Sequence, residues 1–202
     1  MKFYSIWLSL VCILIFILQV LIPGVTDLGI LNHSAIEQPW RFVTSIFLHA
    51  SIIHLIYNLF ALLFFGMITE KLIGSRRFLL MFFVSGIIAN IISFNFYPSS
   101  LGASGAIYGV MGCLTVIQPL MTIWAFSLPM PMFVAAILWV AAGFIGLFVP
   151  SDTGHIAHLS GISVGIIFGI IFRAKHKKPK NYTCKIKIPE EHMKQWENQW
   201  MK

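Results

Sequence analysis

Ser104, His158, His54 and Asn58 are the residues of this sequence whose types could carry out covalent chemistry together. A serine hydroxyl becomes a useful nucleophile when a histidine takes its proton. An amide, an imidazole or a free backbone N–H can then hold the negative oxygen that develops on an attacked carbonyl. These residues lie far apart in the chain, so the chemistry depends on elements that bring them together. His54 and Asn58 are four apart, as are Ser104 and Tyr108, so each pair shares one face of a helix. His158 is followed by Gly161, Gly165 and Gly169, a strip that lets another helix approach closely. Gly105, Gly109 and Gly112 beside Ser104 offer a matching strip. Taken alone, Ser104 within "LGASGAIYG" reads better as a small residue of helix packing.

The elements that must position these residues are membrane helices. Of 202 residues, 58% are hydrophobic and 10% charged, too apolar for an ordinary soluble domain. No Asp, Glu, Lys or Arg occurs from Phe78 to Ser151, a run too long for one span of about 20 residues. Breaks at Asn95–Ser100 and at Gln118-Pro119, with Pro129 and Pro131, divide it. Six helices are predicted, roughly 4–22, 49–68, 76–95, 103–118, 130–148 and 154–172. The expected fold is an all-α membrane protein, with a domain over 1–172 and a basic tail over 173–202. The first apolar stretch is longer than a signal-peptide core and no clear cleavage site follows it, so it reads as a retained helix.

Charge sets the orientation. Lys2, Lys71, Arg76, Arg77, Arg173, Lys175, Lys177, Lys178 and Lys180 fall on one side of six spans, and among the loops of the other side only Arg41 is basic. Both termini are therefore expected in the cytoplasm, and helices 2, 4 and 6 start on the outer side. The formal charge of +7 is a signal of topology and of attraction to anionic lipid, not a nucleic-acid footprint. Cys12, Cys113 and Cys184 show neither pairing nor metal spacing, so three unpaired thiols are expected. Met193, Trp196 and Trp200 sit at helical spacing in the tail, which reads equally as a short interfacial helix or a loosely ordered segment.

With that orientation, His49, His54 and Asn58 of helix 2, Ser104 and Tyr108 of helix 4, and His155 and His158 of helix 6 share one depth near the outer side. Polar groups there are costly and call for a reason. Helix 4, at about 16 residues, is only about 24 Å long against roughly 30 Å of hydrocarbon. Its start at Ser104 is therefore submerged. The preceding loop, about 96–102, must dip into the membrane, which is tolerated only beside protein or a water-filled cavity. A helix start also presents free N–H groups to an anion. No carboxylate lies at this depth, so any catalytic unit is a Ser–His dyad. Packing against the Tyr108 ring is then left to orient His158.

These residues resemble the motifs of rhomboid intramembrane serine proteases. They stand here as Trp40-Arg41, His54-xxx-Asn58, Glu70-xxx-Gly74, Gly102-x-Ser104-Gly105 with Tyr108, and Ala157-His158-xx-Gly161-xxx-Gly165, in order over about residues 36–172. The resemblance implies a six-transmembrane-helix rhomboid-like bundle with a membrane-embedded first loop. It implies Ser104 as nucleophile and His158 as general base, with His54, Asn58 and the Ser104 backbone N–H as the oxyanion hole. Trp40 and Arg41 would belong to the first loop, and His49 would tie that loop down. Gly102, Gly105, Gly161 and Gly165 would support the site. His155, lacking the glycines at +3 and +7, is not the expected base.

The implied activity is endopeptidase cleavage of single-pass or other transmembrane proteins within the lipid bilayer of a plasma membrane. The site would open to the extracytoplasmic side, and substrate would enter past helix 5, where Trp139, Phe144 and Phe148 are gate candidates. No cofactor, metal or nucleic acid is expected. A metal-dependent protease would need a His-Glu-x-x-His, which is absent. The remaining alternatives are an inactive rhomboid-like protein that binds membrane clients, and a polytopic transporter.

Overall fold

A computed structural model describes residues 2–151, 153–175 and 190–201. Cys184 and the middle of the basic tail lie outside the described residues. Four helices are long and apolar enough to cross a membrane: α1 (Tyr4–Leu21), α4 (Ile52–Ile73), α5 (Ser75–Ser93) and α8 (His155–Lys175). Two apolar helices are shorter, α6 (Ser104–Ile117) and α7 (Met132–Gly146). Short helices α2 (Val25–Gly29) and α3 (Arg41–Thr44) fold the first loop, and α9 (Glu190–Trp200) ends the chain with no buried residue.

The predicted helix over 49–68 begins later, because Ser51 caps α4 by accepting the N–H of His54 at 3.1 Å. His49 therefore belongs to the preceding loop. The chain is also not purely helical. An antiparallel pair joins β1 (Leu31–Asn32) to β2 (Ser99–Ser100), tying the first loop to the segment that leads into α6. A second ribbon, β3 (Thr122–Ala125) with β4 (Leu128–Pro131), connects α6 to α7.

α6 is the central element: Gly105–Ile107 and Gly109–Leu114 are all buried. Against α8 the contact is backbone to backbone. A Cβ at Gly161 would collide with the Gly105 carbonyl oxygen, and one at Gly165 with that of Gly109. From the α6 side, a Cβ at Gly112 would strike the Ile162 carbonyl. On α5, Ser85 and Ala89 fill the space left by Gly109 and Gly105.

Glu70 lies in the last turn of α4. It is completely buried and accepts the backbone N–H groups of Tyr4 at 2.8 Å and Ser5 at 2.9 Å, and the Ser5 hydroxyl at 3.1 Å. An anion at a helix start satisfies orphan donors and the dipole together. It locks α1 to α4.

Candidate active site

Ser104 is the first residue of α6 and His158 lies in the first turn of α8, at the same end of the glycine seam. The His158 Nε2 stands 2.8 Å from the Ser104 Oγ. The imidazole is stacked on the Tyr108 ring, with centroids 4.2 Å apart and planes 7° from parallel. Tyr108 is one turn along α6 from Ser104, so a single helix presents both the hydroxyl and the surface that orients its partner.

His54 and Asn58 come from the first turns of α4. Asn58 is buried and donates to the His54 carbonyl at 2.9 Å, which uses one of its two amide hydrogens and fixes the other's direction. Gly102 makes room for the neighbouring imidazole. Its φ is +123°, and a Cβ there would sit 2.8 Å from the His54 ring. Glycine is thus required twice at that position, by backbone conformation and by space. His54, Asn58, Ser104 and His158 all line one cavity of about 1350 Å³. Phe65, Trp139 and Ile123 add apolar lining to the same cavity.

His49 does not reach this cavity. It is buried beside His54, with ring centroids 5.1 Å apart, and its Nδ1 meets the Phe47 carbonyl at 3.2 Å. Burial pushes its imidazole down to about 4, with the neighbouring His54 adding to the effect and the Phe47 carbonyl opposing it. The sequence reading missed its anchor, Gln19 of α1, which accepts the His49 N–H at 3.0 Å and donates to its carbonyl at 3.3 Å. Arg41 is buried. It donates to the carbonyls of Asp27 at 2.7 Å and Ile30 at 2.8 Å and to the Gln38 side chain at 2.7 Å, binding the first loop to itself. Trp40 beside it is exposed.

His155 is turned away from Ser104. Its Nε2 lies 3.0 Å from the Ser151 hydroxyl, and its ring meets that of His158 edge-on at 6.3 Å. Tyr97, also missed, accepts the Ile156 N–H at 3.1 Å and so caps α8 from the loop before α6. Of the helix 5 candidates, Trp139 faces α4 through Phe65 at 5.9 Å, while Phe144 and Phe148 are exposed. Among the described residues no group of three or more His, Cys, Asp or Glu could hold a metal.

The profile of the Rhomboid domain matches residues 36–175. The chain belongs to the rhomboid family. It is 30% identical over 172 residues to a protein named Rhomboid protease GlpG from Haemophilus influenzae, covering 81% of this chain and 88% of that one. It is 46% identical over 89 residues to Rhomboid protease GluP of Bacillus subtilis, covering 43% of this chain and 18% of that one. RHOMBOID-like protein 1 of Arabidopsis thaliana is 28% identical over 151 residues, 74% of this chain and 38% of that one. The chain thus spans most of one relative and less than half of the other two. With the apolar helices, membership makes this a membrane-embedded protein.

Proposed function

We propose that this rhomboid serine protease cleaves transmembrane proteins with a Ser104–His158 dyad. The observation that carries the reading is the 2.8 Å contact between Ser104 Oγ and His158 Nε2, made by a ring already held flat against Tyr108. Ser104 Oγ attacks the scissile carbonyl carbon as its proton passes to His158 Nε2. The carbonyl oxygen becomes an oxyanion, held by the free N–H groups at the start of α6, the second amide hydrogen of Asn58 and the His54 ring. Collapse of this intermediate breaks the C–N bond, and His158 returns the proton to the leaving amine. Water then attacks the acyl-Ser104 ester with the same residues in the same roles.

The domain comprises six membrane crossings within 1–172. α6, at 14 residues, rises only about 21 Å. Protein surrounds it, so it need not match the lipid thickness. The basic residues around α1, between α4 and α5, and after α8 support a reading with both termini in the cytoplasm of a plasma-membrane protein. The dyad then opens to the extracytoplasmic side, where water for the second step is available.

The experiment is cleavage of a generic transmembrane substrate by the purified protein in liposomes. Ser104→Ala and His158→Ala are expected to abolish cleavage while the protein remains folded. Retained cleavage by Ser104→Ala would overturn the reading.

A further inference from the structure

The hairpin between α6 and α7 carries a pattern that the chemistry above does not use. Its turn residues, Phe126 and Ser127, both have positive φ, +52° and +63°. Two-residue hairpin turns of this type favour Asn-Gly or Asp-Gly, because those residues tolerate the left-handed region and suit water. Here a large apolar ring occupies the tip at a conformational cost, and it is exposed. Trp124 on the outer face, Leu128 at the end of the inner face opposite Ala125, and Leu120 just before β3 are exposed as well, and the hairpin lies within the run from Phe78 to Ser151 that holds no charge. On its inner face Ile123 and Ala125 are buried against the core.

The register explains the two prolines of β4. Met132 donates its N–H to the Met121 carbonyl at 2.9 Å, which fixes the phase of the ladder. Hydrogen-bonded pairs alternate in an antiparallel ribbon. The bonded pairs are therefore Met121 with Met132, Ile123 with Met130, and Ala125 with Leu128. The non-bonded pairs are Thr122 with Pro131 and Trp124 with Pro129. A non-bonded position on an edge strand points its N–H away from the sheet. Both such positions on β4 are proline and have no N–H. The open edge of β4 thus exposes no backbone donor, only carbonyls, the orphans that proteins tolerate better.

The Phe126 ring tilts against Trp139 of α7, with centroids 6.5 Å apart, but a water-facing hairpin has no use for an edge without donors, since water satisfies an edge donor at no cost. Lipid cannot, and lipid-exposed open edges are otherwise avoided. We propose that the β3–β4 hairpin is embedded in the hydrocarbon of the membrane, at the end of α6 opposite Ser104, with its β4 edge and its Phe126 tip against acyl chains. It continues the lipid-facing surface of α7, where Phe133, Ile137 and Leu138 are exposed. The outward donors of β3 belong to Thr122 and Trp124, and both residues line the cavity. The hairpin is therefore a membrane-buried floor to that cavity. This inference does not depend on the Ser104–His158 reading, and its test does not measure cleavage.

The test uses the full chain in liposomes, with Cys184→Ser removing the tail thiol; Cys12 and Cys113 are buried. Leu128→Cys and Phe126→Cys are each added singly, with Glu191→Cys on exposed α9 as the reference. In sheared membranes open on both sides, the two hairpin thiols should react with a membrane-impermeant maleimide at least about tenfold more slowly than the reference, lipid excluding the reagent. A fluorophore placed on either hairpin thiol before reconstitution should be quenched by acyl-brominated lipids. Labelling at the rate of the reference would put the hairpin in water and overturn the proposal. Protection without quenching would mean that protein, not lipid, covers it, and would overturn it equally. Two independent sites are tested so that one misfolded variant does not decide the matter.

Discussion

The two walls of the cavity are built on opposite terms. On one side α6 and α8 meet through glycine backbones, with carbonyl oxygens lying where a methyl group would be. Nothing in that seam can rotate out of the way, and Ser104 and His158 sit at its end. On the other side α7 buries only Met132, Ala135, Ala136 and Gly143. It faces α4 through one aromatic pair, Phe65 and Trp139. Its approaches to α8 are made by side chains, Leu159 beside Gly143 and the His155 ring beside Gly146. A backbone seam has one geometry, whereas a seam of side chains has several of similar energy. The Ser104–His158 contact is thus fixed by the wall that cannot yield, while the wall that can yield borders the rest of the cavity.

The largest effect should come from adding one methyl group to the unyielding wall. Gly165→Ala gains about 1 kcal/mol of helix propensity. It must also push α8 away from the Gly109 carbonyl, because backbone cannot repack. A displacement of about 1 Å at the reacting groups costs about 10²-fold. Cleavage should therefore fall at least about 10²-fold, with a lowered unfolding midpoint. Activity near that of the parent protein would show that the seam is not what sets the dyad.

Asn58→Ala probes α4 rather than either seam. On the proposed mechanism one oxyanion donor of several is lost, so kcat should fall by about 10²-fold with KM little changed. Some activity should remain, since the α6 N–H groups and His54 stay in place. Steady-state kinetics in liposomes measures both constants, and an unchanged kcat would remove Asn58 from the oxyanion hole.

What the sequence made legible is what depends on period and composition. Glycines four apart announce a close helix pair, and polar residues recurring at one depth announce a site. Ser104, His158, Tyr108, His54 and Asn58 do come together as those patterns imply. Contacts between residues far apart and without periodicity were not legible. Gln19 looks like a stray polar residue in α1 until the His49 backbone is found beside it. Glu70 looks like a surface carboxylate until α1 is seen to start on it. Prolines at 129 and 131 read simply as a break, because their meaning lies in a register that only the paired strands reveal. The start of α4 was misplaced by three residues because hydropathy does not register the Ser51 cap.

The smallest effect should come from the same methyl group placed on the yielding wall. At Gly143 a Cβ would sit 3.0 Å from Leu159 Cδ2, the far end of a flexible side chain. A rotamer adjustment of Leu159 costs about 0.5–1.5 kcal/mol. Replacing a mid-helix glycine returns about 0.5–1 kcal/mol. The two nearly cancel, so Gly143→Ala should leave the unfolding midpoint almost unmoved and change kcat by less than about twofold, since 0.4 kcal/mol is all that a twofold change represents. The pair of substitutions is chemically identical and lies on two helices that both touch α8 or form it. If Gly143→Ala proved as damaging as Gly165→Ala, α7 would be as rigid a part of the site as α6. The division between a fixed wall and an adaptable one would then be wrong.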